Sequence, residues 1–339
     1  MSLIVVLFAS ILLVVLVVKK INPMLALLTV AIVTGLLLGM PVSGVLGAIT
    51  NGIGGTLGGM VMVLALGAMI GRLAEESGAA QKLVLVLAKI FGEKNIQWAV
   101  LITGILVGIP LFYNAGFVVL IPLVFATAAA ARVPVLYVGI PMAASLSVTH
   151  GFLPPHPGPV ALASLFKANI GMIILYGFIL TVPIAIIAGI VFPRLIKRSL
   201  GRPEATVQVL ASDRVMPSGL KSFLIALMPV LLIALGTIGS AVGFRGATGS
   251  VFAFLADPTV ALLLSLVITL ALLQKPISDS MNHCVEGVKS VAMIILIIAA
   301  GGAFKQVLVD SGIGETIRLQ SASFDFSPLF LGWLITALL

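Results

Sequence analysis

IGMIILYGFILTVPIAIIAGIVF, residues Ile170 to Phe192, is an uninterrupted run without a single charge. A helix rises 1.5 Å per residue and a bilayer core is about 30 Å thick, so a run of this length spans it. Lipid offers no water to backbone N–H and C=O groups, which leaves helices and closed barrels as the only spanning structures. A barrel strand alternates polarity, whereas this run, polar only at the Tyr176 and Thr181 hydroxyls, shows no alternation, so it reads as a helix. Leu3 to Val18 and Met24 to Met40 read the same way. Over all 339 residues, 60% are apolar and 9% charged, too few polar side chains to cover a fold in water. The expected class is an all-α polytopic membrane protein with the lipid bilayer as its surroundings.

The formal net charge of +8 does not indicate a nucleic-acid partner, because the basic residues sit in short loops rather than in a stripe interleaved with aromatics. They report topology instead. A single cysteine, Cys284, excludes an intramolecular disulfide and a thiolate metal cluster. The first apolar run has no basic residue before it and Lys19 and Lys20 after it, the reverse of a cleavable signal peptide. Residues 1–21 are expected to remain as an N-terminal transmembrane helix with the N-terminus outside.

The chain also repeats itself. Asn22-Pro23-Met24-Leu25-Ala26-Leu27-Leu28 matches Asp257-Pro258-Thr259-Val260-Ala261-Leu262-Leu263, and Pro41-Val42-Ser43 matches Pro276-Ile277-Ser278, both at a separation of 235. At a separation of 234, Gly67 with Glu76-Ser77-Gly78 falls on Gly301 with Asp310-Ser311-Gly312. Lys and Arg collect in cytoplasmic loops, and the strongest basic stretch is the loop 193–221 with Arg194, Lys197, Arg198, Arg202, Arg214 and Lys221. With that loop inside and 96–131 as a re-entrant hairpin, all 19 basic residues except Lys167, Arg245, Lys305 and Arg318 lie on the cytoplasmic side. The first repeat (22–192) then starts inside and the incomplete second (257–339) outside, with 222–256 as a connecting helix and loop. Inverted repeats are a recurring plan of secondary transporters and also occur in channels.

Two helix breaks mark where chemistry is expected, since unwound backbone at membrane depth survives only where it is buried or lines a cavity. The first is Gly108 to Gly116 at the hairpin tip. The second lies in the broken helix 135–167, from Ser147 through Pro154, Pro155, Pro157 and Pro159, where prolines remove backbone donors. Helix is expected to resume near Pro159. Each break starts a half-helix, and half-helix N-termini suit a carboxylate. The binding residues expected from this are Tyr113, Asn114, Ala115 and Gly116 at the tip, with Ser147, Thr149, His150, Gly151 and Gly158 at the second break. His150 and His156 are the groups able to take a proton. Plainer readings stand beside these. Asn114 could cap a helix, the histidines could be bonded to carbonyls, and Ser147 and Thr149 could bond back to their own helix. Glycines 52, 54, 55, 58 and 59 lack the Lys-Ser/Thr of a phosphate loop and fit helix packing. No metal and no cofactor is expected, and the absence of an acid–base pair or nucleophile triad speaks against an enzyme.

At these segments the chain resembles the gluconate permease family, gluconate:proton symporters of the larger ion-transporter superfamily. The resemblance is carried by NIQWAV (Asn95 to Val100), LYVGIPMAASLSVTHGFLPPHPGP (Leu136 to Pro159) and GGAFKQVLVDSG (Gly301 to Gly312). It implies uptake of a sugar acid or related hydroxycarboxylate with a proton across a bacterial inner membrane, and it is compatible with a homodimer. Members often carry Glu or Asp where this chain has Asn114. An amide cannot release a proton in the working range, so coupling would be altered or move to His150 or His156. Members also continue further through a second hairpin, so the chain resembles one lacking the C-terminal quarter, and residues 1–339 alone are expected to insert without concentrating substrate. The competing reading is a non-transporting membrane fragment or subunit of such a carrier.

Overall fold

The fold is that of a computed structural model, which describes residues 2–91, 95–111, 113–130, 132–196, 199, 216–313 and 330. It contains the helices α1 (Ser2–Val18), α2 (Pro23–Leu37), α3 (Val42–Gly58), α4 (Val61–Glu76), α5 (Ala79–Phe91), α6 (Ile96–Gly108), α7 (Tyr113–Ala130) and α8 (Val135–Phe152). There follow α9 (Pro157–Phe166), α10 (Ile170–Ile186), a π-turn (Ile187–Val191), α11 (Phe192–Leu195), α12 (Gly219–Val242), α13 (Gly246–Ala256), α14 (Pro258–Leu273) and α15 (Ile277–Asp310). No strand occurs among the described residues. Among the described residues, four stretches are long and apolar enough to cross a membrane, namely Val135–Phe166, Ile170–Leu195, Gly219–Ser240 and Ile277–Asp310. Two bent pairs, α3 with α4 at 45° and α13 with α14 at 80°, meet the same test together. The protein is an all-α, multi-pass membrane protein.

The chain divides into two compact units. One gathers residues up to Gly59 with those from Ile294 onward; the other is Met60–Met293. In the first unit, α2 ends at Leu37 rather than reaching Met40, because Gly39 turns to φ +82° and Pro41 follows. Gly52 of α3 lies against Ala303 and Gln306 of α15, where an added Cβ would come within 2.7 Å of the Ala303 Cα. Gly54, Gly55 and Gly58 have open space instead, so close packing accounts for Gly52 and not for these three.

Local geometry recurs at the two sequence separations. Asn22 Oδ1 accepts the Met24 N–H at 2.9 Å and Pro23 opens α2; Asp257 Oδ1 accepts the Thr259 N–H at 2.9 Å and Pro258 opens α14. Proline suits a first helical position because its missing donor has no partner there anyway. At the other end of α4, the Ser77 hydroxyl donates to the Ala74 carbonyl and Gly78 takes φ +74°. At the end of α15, Ser311 donates to Leu308 and Gly312 takes φ +74°. The copies differ in that α3 and α4 are separate helices whereas α15 is continuous. Gly58-Gly59 stand at the bend, whereas the residues 235 further on are Met293-Ile294, which favour continued helix.

In the second unit α6 and α7 both contribute to a buried core. Leu83 of α5, Val100 and Val107 of α6, Leu120 and Val124 of α7, Met142 and Leu146 of α8 and Ala226 of α12 form one buried cluster. The break in the broken helix is narrower than the proline pattern suggested. Helix α8 continues through Ser147 to Phe152, and only Leu153-Pro154-Pro155-His156 lies outside helix, with a cis peptide between the prolines. Nothing from Ser147 to Phe152 lacks a donor, so the disruption reaches back only to the residue before the first proline. Helix α9 resumes at Pro157, two residues ahead of Pro159.

Candidate functional site

The two breaks meet. Helix α6 ends at Gly108, and the last carbonyls of any helix lack intrahelical partners. Here the Ile105 carbonyl accepts the Ile109 N–H and the Val107 carbonyl accepts the Leu111 N–H, each at 3.1 Å. The Gly108 carbonyl accepts the Nε2–H of His156, the last residue of the second break, at 2.6 Å. His156 is 1% exposed, and its own carbonyl accepts the Val160 N–H to begin α9. One side chain thus ties the hairpin turn to the proline-rich turn across 48 residues of sequence.

Glycines make that approach possible. An added Cβ on Gly108 would meet Thr149 Oγ1 at 2.9 Å, and one on Gly104 would overlap the Ser145 hydroxyl. Small residues four apart on α6 therefore receive small polar residues four apart on α8, the close crossing that membrane helices use in place of a hydrophobic drive. Helix α4 does the same for both turns. A Cβ on Gly67 would meet Pro155 Cγ at 2.8 Å, and one on Gly71 would overlap the Pro110 carbonyl. One face of α4 carries the second break and, one turn along, the first.

This arrangement separates the sequence-predicted residues into two sets. Thr149 is fully buried and its hydroxyl donates to the Ser145 carbonyl, so it sits on the packed face of α8. Ser147 cannot share that face, being two residues and about 200° away on a helix. Ser147 and Gly151 are exposed and His150 is half-buried, and their spacing of three and four puts them on one open side. The His150 ring lies 4.5 Å from the His156 ring, centroid to centroid, at 50°. At the start of α9, Pro157 and Pro159 have no N–H and that of Val160 is used, which leaves Gly158, exposed, as the first-turn donor rather than Gly158 to Val160 together. At the hairpin tip, Tyr113 opens α7 and stacks on Phe117 at 5.8 Å, while Gly116 is buried against Leu146. Asn114 and Ala115 lie in the first turn of α7; their side chains fall outside what the structure describes, as do Phe112 and most of the basic loop 193–221.

Sequence reasoning missed the residues that hold this geometry. Gly67 with Gly71, and Gly104 with Gly108, were legible as small-xxx-small pairs, but which turn each would receive was not. Gln97, 3% exposed, donates from Nε2 to the Tyr137 carbonyl at 3.2 Å and accepts from Arg194 Nε at 3.1 Å, joining the hairpin entry to α8 and α11. A lone glutamine in an apolar run was the available signal. Among the described residues, no group of three or more His, Cys, Asp or Glu is placed to hold a metal ion.

The family model described as GntP family permease matches residues 1–339. The chain belongs to the GntP permease family. This permease is 45% identical over 327 residues to the Gnt-II system L-idonate transporter of Escherichia coli (strain K12), covering 94% of the chain and 74% of that relative. It is 44% identical over 347 residues to a high-affinity gluconate transporter of the same organism, covering 100% of the chain and 79% of the relative. A gluconate permease of Bacillus subtilis (strain 168) is 40% identical over 340 residues, covering 94% and 75%. The family is one of permeases rather than enzymes, which assigns the two breaks to a transport protein.

Proposed function

We propose that this permease takes up gluconate or a related sugar acid together with a proton, across a bacterial inner membrane. The observation that carries the reading is the joining of two helix breaks on one face of α4, through His156 and Gly108, in a member of a permease family. Relatives named for gluconate and for L-idonate support a substrate class of polyhydroxy monocarboxylates. The carboxylate is held at the first turns of α7 and α9, by backbone N–H groups around Asn114, Ala115 and Gly116 and by Gly158, where the helix dipole favours an anion. Ser147, His150, Asn114 and the open backbone at Gly151 meet the hydroxyls, with Tyr113 packed behind the tip. His150 receives the proton on the substrate side. His156, engaged with Gly108, and Thr149, bonded within α8, hold the shape.

The two sequence repeats are taken as inverted halves that exchange conformations and open the site alternately. Self-association as a homodimer belongs to the same reading, supported by the open space along Gly47, Gly54 and Gly58 of α3, where a second membrane helix can approach closely. The test is uptake of labelled gluconate by cells lacking their own aldonate carriers and expressing the protein from its natural reading frame. Uncoupler-sensitive accumulation, competed by L-idonate, is expected; accumulation that ignores uncouplers refutes the proton, and failure of both aldonates to bind or exchange refutes the substrate class.

A further inference from the structure

We propose that the charged cavity beside the hairpin turn is the second station of the transported proton, held there on the carboxylates of Glu75 and Glu286 before it enters the cytoplasm. The proposal rests on the proton-symport reading above and says where the proton goes after the substrate side. The cavity has a volume of about 430 Å³ and is lined by Arg72 and Glu75 of α4, Glu286, Lys289 and Ser290 of α15, and Leu111 of the hairpin turn. Arg72 grips two carboxylates of its own helix, Nη1 to Glu75 at 3.0 Å and Nη2 to Glu76 at 2.9 Å, while its Nε is buried with no hydrogen-bond partner. Lys289 Nζ lies 2.8 Å from Glu286. Ionisable groups on membrane helices are costly and ordinarily mark an ion or proton path.

Other described carboxylates are occupied elsewhere. Asp257 caps α14, Asp279 faces His283 at 3.5 Å at the start of α15, and Asp310 accepts from Gln306 at its end. Of the helices packed against α4, α5 carries Lys82 and Lys89 and α12 carries Lys221, none of which lines the cavity, while α7, α9 and α14 carry no charged side chain. Glu75 and Glu286 are therefore the described carboxylates that share a cavity with the hairpin.

Depth and connection both suit a release station. Helix α15 has 34 residues, about 51 Å at 1.5 Å per residue, so roughly 20 Å of it projects beyond a hydrocarbon core of about 30 Å. On the proposed topology its first third, with Asp279, His283 and Glu286, lies at the cytoplasmic boundary. Glu286 is 53% exposed at the mouth and Glu75 19% exposed further in. Arg72 directly follows Gly71, whose backbone abuts the Pro110 carbonyl at the hairpin turn. A proton bound to a Glu75 carboxylate oxygen removes the negative charge that holds Arg72 Nη1, leaving the guanidinium to Glu76, and this change arrives one residue from the turn. The proton then leaves to cytoplasmic water and Glu75 returns to its ion pair. One aldonate monoanion and one proton cross together, so no net charge moves.

The experiment reconstitutes the natural protein and the double variant Glu75→Gln/Glu286→Gln in liposomes, since glutamine keeps the shape and the bond to Arg72 but cannot titrate. An inward gradient of one pH unit supports about tenfold gluconate accumulation for one proton per anion. The unmodified protein is expected to reach it and to alkalinise the outer medium. The double variant is expected to show neither, while equilibrium exchange of labelled for unlabelled gluconate stays near the unmodified rate. Retained accumulation in the variant overturns the assignment, and so does loss of exchange along with accumulation, which would make the carboxylates structural. An unmodified protein that exchanges gluconate but never accumulates it on a pH gradient overturns proton symport, and the assignment with it; one that does not exchange gluconate at all overturns the substrate class instead.

Discussion

Replacing His156 by alanine removes the donor that satisfies the Gly108 carbonyl, and the structure sets the size of the effect. A buried acceptor left without its partner costs about 1–3 kcal/mol. Removing the ring opens a space of about 60 Å³, worth about 1.5 kcal/mol at roughly 24 cal/mol per Å³. The sum of about 3 kcal/mol shifts the equilibrium for opening the hairpin by about a hundredfold. His156→Gln keeps an N–H donor within reach of the same carbonyl and is expected to recover most of that loss. Hydrogen exchange in purified protein reads the difference directly, because the amides of the last turn of α6 and of Leu111 report the hairpin. Faster exchange there in His156→Ala, with protection near normal in His156→Gln, is the expected pattern. Unchanged protection in His156→Ala refutes the tie between the breaks. Equal loss in both variants refutes its description as a donor's bond.

Gly71→Leu forces a side chain into the Pro110 carbonyl and Gly104→Val one into Ser145; overpacking of this kind costs about 1–3 kcal/mol, and both should lower the unfolding temperature and uptake, whereas Gly58→Ala, facing open space, should not. Asn114→Ala and His150→Ala each remove a hydrogen bond to a substrate hydroxyl, about 0.5–1.5 kcal/mol, and are expected to weaken apparent gluconate affinity by about two- to tenfold; normal affinity at normal expression would reduce both to caps and core. Gln97→Leu leaves the Tyr137 carbonyl and Arg194 without this partner and should destabilise by about 1–3 kcal/mol, measured by thermal unfolding in detergent; an unchanged midpoint would make the glutamine incidental. In a background lacking Cys284, a single cysteine at Ser212 should resist impermeant thiol reagents in intact cells and react in inverted vesicles; the opposite pattern would reverse the proposed topology.

Membrane residence was legible in the sequence because the bilayer constrains composition at every position: Ile170 to Phe192 has no charge to place anywhere else. Helix starts were legible for a local reason. Asn22-Pro23 and Asp257-Pro258 carry their caps within three residues, so no distant contact is needed to form them. The two breaks were visible as prolines and glycines, yet their extent was overestimated at Ser147 to Phe152, since the first proline removes its own N–H donor and disfavours helix at the residue before it, while the residues from Ser147 to Phe152 keep their own donors. Tertiary structure alone decided which polar residues face inward. Thr149 and Ser147 are two positions apart and equally suited to a ligand on paper, and only the crossing of α6 over α8 buries one and leaves the other open. In the same way, nothing in the spacing of His150 and His156 tells which of them will find a carbonyl 48 residues away. The cavity of Arg72, Glu75 and Glu286 joins residues more than two hundred positions apart, and a contact of that kind has no local signal, because it exists only once helices from opposite ends of the chain have packed.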